Sequence, residues 1–435
     1  MENTNSEKYL LINAGSSSFK FALYEMPGGK EIVSGVVERI GDAKSSYTLK
    51  SHGKKKNYAM PINNHTEAAQ VMIKALIDGK FINDVSEINA VGHRVLLGGG
   101  KYDEPVLIDD EVMDFITRLC DLVPLHHPGQ IAGIKAMQNV LPETPMIAVF
   151  DNAFHATMPD KNSHYAIDER FNRQYGIKKY GFHGISYQYI TEYMQKALER
   201  RNINLIICHI GSGASICCVK NGKSYDTTMG LTPLDGLVMG TRCGNVDASV
   251  FYYMFIKTMI EKRSLGENPN AEEVVKEIYR KLNLESGLKG LSGVNDFRDV
   301  ERLASIENYE AIRARDMLKD SIIKYVSYYN AKLKGNVDAI IFTAGIGENA
   351  PKLREEIVEE LSYTMPFTLN KEVNDKIGGA SDKKEGVITT SDSKVPVVVI
   401  PTNEEYIILR DTYEIAQNLK KEQERSNEKV LTLGR

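Results

Sequence analysis

Two short turns rich in glycine and serine, each beside apolar segments, constrain the fold of this sequence more than any other feature. Residues 13–18 lie between the apolar segments 9–12 and 19–24, and residues 211–215 follow the apolar segment 205–210. Short apolar segments bounded by turn residues are typical of buried strands. A strand–turn–strand unit that recurs in both halves predicts two related lobes rather than three unlike domains.

The rest of the chain alternates between strand-like and helix-like segments. This alternation predicts an α/β protein with mixed or parallel sheets flanked by helices. The length of 435 residues alone would suggest about three domains at roughly 150 residues each, which the repeated unit reduces to two. The predicted helices are 66–77 with Thr66 as N-cap, 311–333, and one that opens at Pro351; the predicted strands are 146–150, 337–342 and 395–400.

Composition excludes several functional classes. The net charge of −4 lacks the global basic field that nucleic-acid binding needs, so any anion must be held by local arginines and backbone amides. The five cysteines form no C-x-x-C pair, which argues against a zinc ribbon or a disulfide framework. The N-terminal residues resemble no signal peptide, and no apolar run reaches the length of a membrane span. We therefore expect a cytoplasmic protein without a membrane or nucleic-acid partner.

Three glycine-rich turns could hold phosphate. Gly15 bends the first turn, and Ser17 and Lys20 lie beside it, although an ordinary hairpin turn would also fit. The second turn is Gly211-Ser212-Gly213. The third, at residues 345–350, follows a predicted strand and opens a helix, whose N-terminus offers N–H groups to an anion.

The third turn also matches the dinucleotide fingerprint G-x-G-x-x-A, which predicts a nicotinamide cofactor instead of ATP. No acidic residue closes a following strand at the expected distance, and the motif lies late in the chain. No Walker loop is present. The dinucleotide interpretation is the main alternative at this point.

Several charged residues lie next to glycines or at strand ends, where α/β proteins place functional groups. Arg94 and Arg242 have glycines beside them, and arginine suits planar contacts with carboxylate or phosphate, although a structural ion pair is the plainer role. His183 lies between glycines. Asp151 ends a buried strand, and Glu404 follows another, so that oxygen ligands for Mg²⁺ are available. Adjacent His126 and His127 would point to opposite sides and do not predict a transition-metal site.

These motifs together resemble those of the acetate kinase family, over residues 11–412. Residues 11–20, 226–237 and 342–349 look like its N-terminal signature, its second signature and its adenosine motif. The family belongs to the actin, sugar-kinase and heat-shock ATPase superfamily, so the resemblance implies two ribonuclease-H-like lobes with an active site in the cleft between them. It implies an N-terminal lobe of residues 1–152, onto which 405–435 packs, and a nucleotide-binding lobe of residues 153–404.

The resemblance implies reversible phosphoryl transfer between ATP and acetate, giving ADP and acetyl phosphate, with Mg²⁺ or Mn²⁺ and a homodimeric enzyme. Arg94 and Arg242 match the arginines on acetate and the transferring phosphoryl group, and His183 matches the histidine on the same oxygens. Asp151 matches the catalytic aspartate. Asn13 and Glu404 match the two residues that are associated with the metal ion in the family.

The resemblance also assigns binding residues. The nucleotide residues that it implies, beside Ser17 and Lys20, are His209, Ile210, Gly211, Ser212 and Gly213 in the phosphate turn and Asp296, Phe297, Arg298, Gly345, Ile346, Gly347, Glu348 and Asn349 around adenosine. The acetyl methyl pocket that it implies consists of Leu96, Leu125, Phe182 and Pro233.

The sequence departs from the family pattern at four places. Ser212 replaces the usual asparagine, Leu97 a histidine and Leu96 a valine, and residues 125–130 differ from the usual His-Asn-Pro-x-Asn. A larger side chain at Leu96 would shrink the acyl pocket and disfavour propionate and butyrate. The alternatives are a kinase for another short carboxylate, a non-catalytic actin-like nucleotide-binding protein, and a nicotinamide-dependent dehydrogenase.

Overall fold

The computed structural model describes residues 6–379 and 383–433. The described chain divides into two compact units. One contains the residues up to Phe154 together with the segment from Asn403, and the other runs from His155 to Thr402. Gly434 and Arg435, at the end of the predicted C-terminal segment, lie outside the described residues.

The first unit is built on an eight-stranded mixed sheet. Its order is β5-β4-β3-β2-β1-β6-β8-β7. Neighbouring strands from β5 to β1 are antiparallel, β1 runs parallel to β6 and β6 to β8, and β7 is antiparallel to β8. The strands are β1 (Glu7–Ala14), β2 (Ser18–Met26), β3 (Lys30–Glu38), β4 (Ser46–Ser51), β5 (Lys54–Ala59), β6 (Ile88–Val95), β7 (Val106–Leu107) and β8 (Met146–Phe150).

Helices cover this sheet. They are α1 (His65–Asp78), α2 (Asp110–Arg118), α3 (His127–Val140) and α15 (Glu404–Leu433). The last of them packs against β1, β6 and β8. Gly92 in β6 permits this close approach, because a Cβ atom there would lie 2.1 Å from Oγ1 of Thr412 in α15.

The prediction that Thr66 caps α1 is wrong. The N-cap is Asn64, whose extended backbone lets its side chain accept a hydrogen bond from the backbone N–H of Glu67. Both residue types cap helices well, so the sequence could not separate them. The two-residue difference also places Thr66 inside the helix.

The second unit repeats the sheet order of the first. Its six-stranded sheet has the order β11-β10-β9-β12-β14-β13. As in β3-β2-β1-β6-β8-β7 of the first sheet, three antiparallel strands are followed by two that run parallel to the third, and an antiparallel edge strand ends the sheet. The strands are β9 (Leu205–Ile210), β10 (Ala214–Lys220), β11 (Lys223–Thr227), β12 (Ala339–Thr343), β13 (Gly386–Val387) and β14 (Val397–Val399).

Eleven helices are described in this unit. They are α4 (Asp160–Ser163), α5 (Glu169–Tyr175), α6 (Gly184–Ala197), α7 (Ala248–Ser264), α8 (Ala271–Leu284), α9 (Gly287–Ser292), α10 (Phe297–Ser305), α11 (Tyr309–Lys332), α12 (Ala344–Asn349), α13 (Pro351–Leu361) and α14 (Lys371–Asp375). The helix predicted to open at Pro351 is confirmed. The third glycine-rich segment is not a turn before that helix, however, because α12 begins directly after β12.

Both sheets have helices packed on them, so the predicted α/β class with mixed sheets is confirmed. The two predicted strand–turn–strand units are confirmed as β1–β2 and β9–β10. Among the described helices, none is long and apolar enough to cross a membrane.

Candidate active site

In the first unit, parallel strands bring predicted site residues to one sheet edge. Asn13 lies near the carboxyl end of β1, Arg94 near that of β6, and Asp151 directly after β8. These three strands are neighbours and run parallel, so their carboxyl ends coincide. Nη2 of Arg94 lies 3.0 Å from Oδ1 of Asp151, whose side chain is fully buried.

Glu404, the first residue of α15, completes this group. One of its carboxylate oxygens lies 3.5 Å from Nε of Arg94. Burial alone would lower the pKa of Arg94, but the carboxylates of Asp151 and Glu404 raise it above its ordinary value. Burial raises the pKa of Glu404, against the opposing effect of Arg94. The arginine is therefore held charged and in a defined orientation.

A cavity of about 450 Å³ opens beside these residues. Asn13, Lys20, Arg94, Glu404 and Glu405 are among the residues that line it. Asn13 and Glu404 offer oxygen atoms of the kind that Mg²⁺ prefers, while no group of three His, Cys, Asp or Glu side chains in the described residues could hold a metal alone. This donor set fits a Mg²⁺ ion that takes most of its ligands from phosphate and water.

The first glycine-rich turn is only partly in this cavity. Ser17 is exposed and is not among the lining residues, whereas Lys20 is. Gly15 donates its backbone N–H to the carbonyl of Ser18, and its own carbonyl lies 2.7 Å from Nε2 of His65. These contacts give the turn a structural role in addition to any ligand contact.

In the second unit, His183 and Arg242 converge on the second turn. A Cβ atom on Gly213 would lie 3.3 Å from Nη1 of Arg242 and 3.5 Å from Nε2 of His183. The two side chains therefore lie directly against the turn, and a larger residue at position 213 would crowd Arg242. Gly240 donates its backbone N–H to the carbonyl of Ser212, which ties the segment that carries Arg242 to the turn.

The ring of His183 is held from two sides. Its Nδ1 lies 2.9 Å from Oγ of Ser215, which also contacts the hydroxyl of Tyr187. Its ring stacks on that of His209 with centroids 4.0 Å apart. The backbone of His183 adopts a left-handed conformation (φ +59°), which is costly for a non-glycine residue and is concentrated at functional sites.

Arg242 differs from Arg94 in its electrostatics. Among the described residues of its unit, no carboxylate lies within salt-bridge distance, and its guanidinium faces the carbonyl of Pro233 at 3.4 Å. Burial lowers the pKa of Arg242 from its ordinary value, but arginine stays charged at any physiological pH. A half-buried positive charge without a counter-ion in its unit is suited to an anionic ligand.

A second cavity, of about 660 Å³, adjoins the same turn. It is lined by Gly211, Ser212, Asn295, Asp296, Phe297, Arg298, Gly345, Ile346, Asn349, Ala350 and Gly379. A Cβ atom on Gly345 would meet nothing within 4 Å, so this part of α12 faces open space. Three predicted nucleotide segments thus meet in one cavity.

Not all predicted nucleotide residues line this cavity. The predicted residues of this unit that are not among its lining residues are His209, Ile210, Gly213, Gly347 and Glu348. Oε1 of Glu348 accepts hydrogen bonds from the backbone N–H groups of Ala344 and Thr402. Glu348 therefore holds α12 against the end of β14. Arg298 donates two hydrogen bonds to Asp296 and thereby lowers the pKa of that carboxyl to about 2.

The residues of the predicted acyl pocket divide between the units. Leu96 is buried and Leu125 half-buried in the first, whereas Phe182 and Pro233 are buried in the second. Because its residues are divided between the two units, the pocket stays a prediction.

Arg354 is a site residue that the sequence did not reveal. Its fully buried guanidinium donates hydrogen bonds to the carbonyls of Gly347 and Glu348 in α12 and to Asn374 and Ile377 opposite. Burial lowers its pKa to about 10. Arg354 joins α12 to the segment that leads to Gly379. Residues of α12 and Gly379 line the second cavity, which is called the nucleotide cavity below because predicted nucleotide residues line it. An arginine in an amphipathic helix pattern gives no sign of this role.

Comparisons with known proteins agree with this arrangement. The profile of the family described as "Acetokinase family" matches residues 8–410. A protein named acetate kinase from Thermoanaerobacter pseudethanolicus is 45% identical over 420 residues, covering 95% of this chain and 100% of that protein. Another, from Clostridium botulinum (strain Okra / Type B1), is 44% identical over 413 residues, covering 94% and 99%.

Solved structures resemble the chain as well. A propionate kinase from Francisella tularensis has a TM-score of 0.84 at 36% identity, covering 94% of this chain and 100% of that one. The Porphyromonas gingivalis acetate kinase has a TM-score of 0.82 at 36% identity, covering 94% and 99%. The resemblance drawn from the sequence motifs is thereby confirmed.

The network around Arg354 leads to a prediction on stability. We expect Arg354→Met to lower the free energy of unfolding by about 3–5 kcal/mol, because several buried carbonyls lose their donor at once. Urea denaturation followed by circular dichroism measures this. The control is Arg298→Met, whose exposed side chain should leave the free energy of unfolding almost unchanged. Equal stability of the two variants would contradict the assignment.

Proposed function

The chain belongs to the acetokinase family, and on that premise we propose that it transfers the γ-phosphoryl group of ATP reversibly to acetate, by direct in-line transfer, giving ADP and acetyl phosphate. It is a phosphotransferase with a carboxyl group as acceptor. The observation that carries the proposal is the convergence of Arg242 and His183 on Gly213, next to the cavity lined by Gly211 and Ser212. There, two nitrogen-bearing side chains face the position where the terminal phosphates of a bound nucleotide would lie.

Phosphoryl transfer needs alignment and charge neutralisation more than acid–base chemistry. The acetate carboxylate is already a nucleophile, so no strong general base is required. What must be overcome is the repulsion between two anions. Arg242 lacks a carboxylate partner in its unit, so its full charge is available to the transferring group, and the ring of His183 is fixed by Ser215 and His209 to donate to the same oxygens.

The residues at the edge of the first sheet supply the other half of the proposed chemistry. Asp151 holds the guanidinium of Arg94 in place, so that its remaining N–H groups can bind acetate. Asn13 and Glu404 would hold Mg²⁺ or Mn²⁺, which when bound neutralises phosphate charge. Lys20 adds positive charge to the same cavity.

The acyl preference follows from Leu96, which replaces a smaller residue of the family pattern. We propose that acetate is preferred to propionate and butyrate for this reason. The alternative of an actin-like protein that only binds nucleotide leaves Arg242 unexplained, because a binder has no need of a half-buried arginine without a carboxylate partner in its unit beside the phosphate turn. The dinucleotide alternative needs the glycines in a turn between a strand and a helix, but Gly345 and Gly347 lie within α12.

A substrate panel tests the proposed function. With ATP, Mg²⁺ and hydroxylamine, we expect hydroxamate formation from acetate, weaker formation from propionate and butyrate, and none when Mg²⁺ is removed by a chelator. Fluorescence titration with NADH should show no binding. ATP binding without hydroxamate from any of the three acids would favour the non-catalytic alternative. Equal rates with all three would remove Leu96 from the assignment.

Substitution of Arg242 tests the proposed mechanism most directly. We expect Arg242→Ala to lower kcat by about 10³ to 10⁵, because an arginine that stabilises a phosphoryl transition state contributes this much. The KM for ATP should change little, since the adenosine end of the cavity is untouched. Arg298→Ala is the matched control, in which KM for ATP rises more than kcat falls. A near-normal kcat in Arg242→Ala would overturn the assignment.

We propose that the enzyme is a homodimer that uses α7. One face of this helix packs on α8 through Phe251, Phe255 and their neighbours. Other large apolar side chains of α7 are exposed in the unit, with Tyr252 at 66% and Ile260 at 55%. Exposed apolar patches of this kind mark protein interfaces.

Sedimentation equilibrium tests the dimer. We expect the wild-type chain to sediment as a dimer and the variant Tyr252→Glu/Ile260→Glu as a monomer, because two carboxylates would be buried without partners. Tyr363→Glu is the control, since Tyr363 is 89% exposed and follows the C-terminal end of α13, away from α7 in the sequence. A monomeric wild type, or a dimeric double variant, would refute the role of α7.

We also place the enzyme in the cytoplasm. Its proposed substrate ATP is abundant there. All five cysteines are free, as is usual for proteins in reducing compartments.

A further inference from the structure

A third cavity lies in the unit of residues 155–402, and neither the phosphate turn nor the nucleotide cavity shares a residue with it. Its volume is about 820 Å³, within the range of small-molecule sites. The chain carries a net charge of −4, yet five lysines line this cavity against two aspartates. The lysines are Lys161, Lys179, Lys220, Lys332 and Lys334.

The floor of the cavity contains a buried carboxylate that is shared between two lysines. Oδ1 of Asp226 lies 3.1 Å from Nζ of Lys179, and its other oxygen pairs with Lys332. Nζ of Lys332 also donates to Oδ1 of Asn162 at 2.7 Å. One carboxylate neutralises only one of these two lysines, so the floor itself carries positive charge.

The second aspartate, Asp235, offsets part of the positive charge of Lys179. Burial raises the pKa of Asp235, against the opposing effect of Lys179. Tyr165 lies against this carboxylate, with its hydroxyl 3.5 Å from Oδ2, and the backbone N–H of Gly236 donates to Oδ1. The two aspartates together offset two of the five lysines, so the lining keeps an excess of positive charge.

The rim concentrates further positive charge around one aromatic ring. The ammonium groups of Lys220, Lys332 and Lys161 lie 4.8, 5.7 and 5.8 Å from the ring centroid of Tyr225. Among the described residues, no carboxylate lies within 4 Å of Lys161, Lys220 or Lys334. Like charges repel, and long side chains on an open surface would diverge. Here three different elements, α4, β10 and α11, supply the three lysines.

We propose that this cavity is a second anion site, which binds a small polyanion with at least two phosphate or carboxylate groups. Lys161, Lys220 and Lys334 would bind the ligand at the rim, and Lys179 and Lys332 from the floor. A single-charged anion would leave most of these lysines uncompensated. The proposal does not depend on the function proposed above, because the two sites have separate residues.

Calorimetric titration of the full chain tests the site. The probes are pyrophosphate and citrate, each in the presence of saturating ADP and at constant ionic strength. We expect at least one of them to bind the wild type, and the variant Lys161→Gln/Lys220→Gln to weaken that binding by about tenfold or more, because charge-assisted contacts are the stronger ones. A preference for pyrophosphate would indicate a phosphorylated ligand, and a preference for citrate a polycarboxylate.

The control variant is Lys196→Gln/Lys223→Gln. Both lysines are exposed in the same unit and lie outside the cavity, so the variant has the same net charge and should bind the probe as the wild type does. Circular dichroism spectra that match the spectrum of the wild type show that both variants fold. Binding of neither probe to the wild type, or equal weakening in the two variants, would overturn the proposal.

A spectroscopic readout reports the cavity directly. The hydrogen bond from Lys161 and the charges of the neighbouring lysines lower the pKa of Tyr225. A bound polyanion should raise this pKa, measured as the phenolate absorbance that is present in the wild type and lost in Tyr225→Phe. An unchanged titration of Tyr225 under conditions where calorimetry detects the probe would place the probe elsewhere and would overturn the assignment.

Discussion

The parallel pairing of strands is the constraint on which both candidate sites depend. In the first unit, β1, β6 and β8 end at one edge of the sheet and present Asn13, Arg94 and Asp151 there. In the second, β9, β12 and β14 run parallel in the same order, and the phosphate turn and α12 follow two of these strands. The repeated sheet therefore builds each site in the same way, with different side chains.

Arg94 and Arg242 have different partners, and this difference decides the role that is proposed for each of them. Arg94 is held by Asp151 and Glu404, which fix its orientation and leave fewer N–H groups for a ligand. Within its unit, as far as the structure describes it, Arg242 has only carbonyl and sulfur neighbours at hydrogen-bond distance. Partial burial of a positive charge without a counter-ion costs free energy, and a bound anion would remove this cost. We therefore expect Arg242 to contribute to anion binding.

Prediction from sequence was most successful where local chemistry decides the conformation. The glycine–serine turns between β1 and β2 and between β9 and β10, and the start of α13 at Pro351, follow from residue types alone. It was least successful where two residues could take one role, or where one segment could adopt two conformations. Asn64 replaced Thr66 as the cap of α1, and residues 344–349 formed a helix although their glycines indicated a turn. Glu348 was predicted beside the nucleotide, yet its carboxylate binds backbone N–H groups.

The sequence by itself determined the family and the α/β class, and it proposed most residues of the candidate sites, because these lie in short motifs whose glycines and charges have few alternative uses. Only the tertiary structure decided which of them meet. The buried guanidinium of Arg354 joins two segments of the second cavity, and the five lysines that line the third cavity come from segments far apart in the chain. Such groupings depend on which elements pack together, and that is settled by the burial of apolar surface over a whole unit rather than by any local pattern.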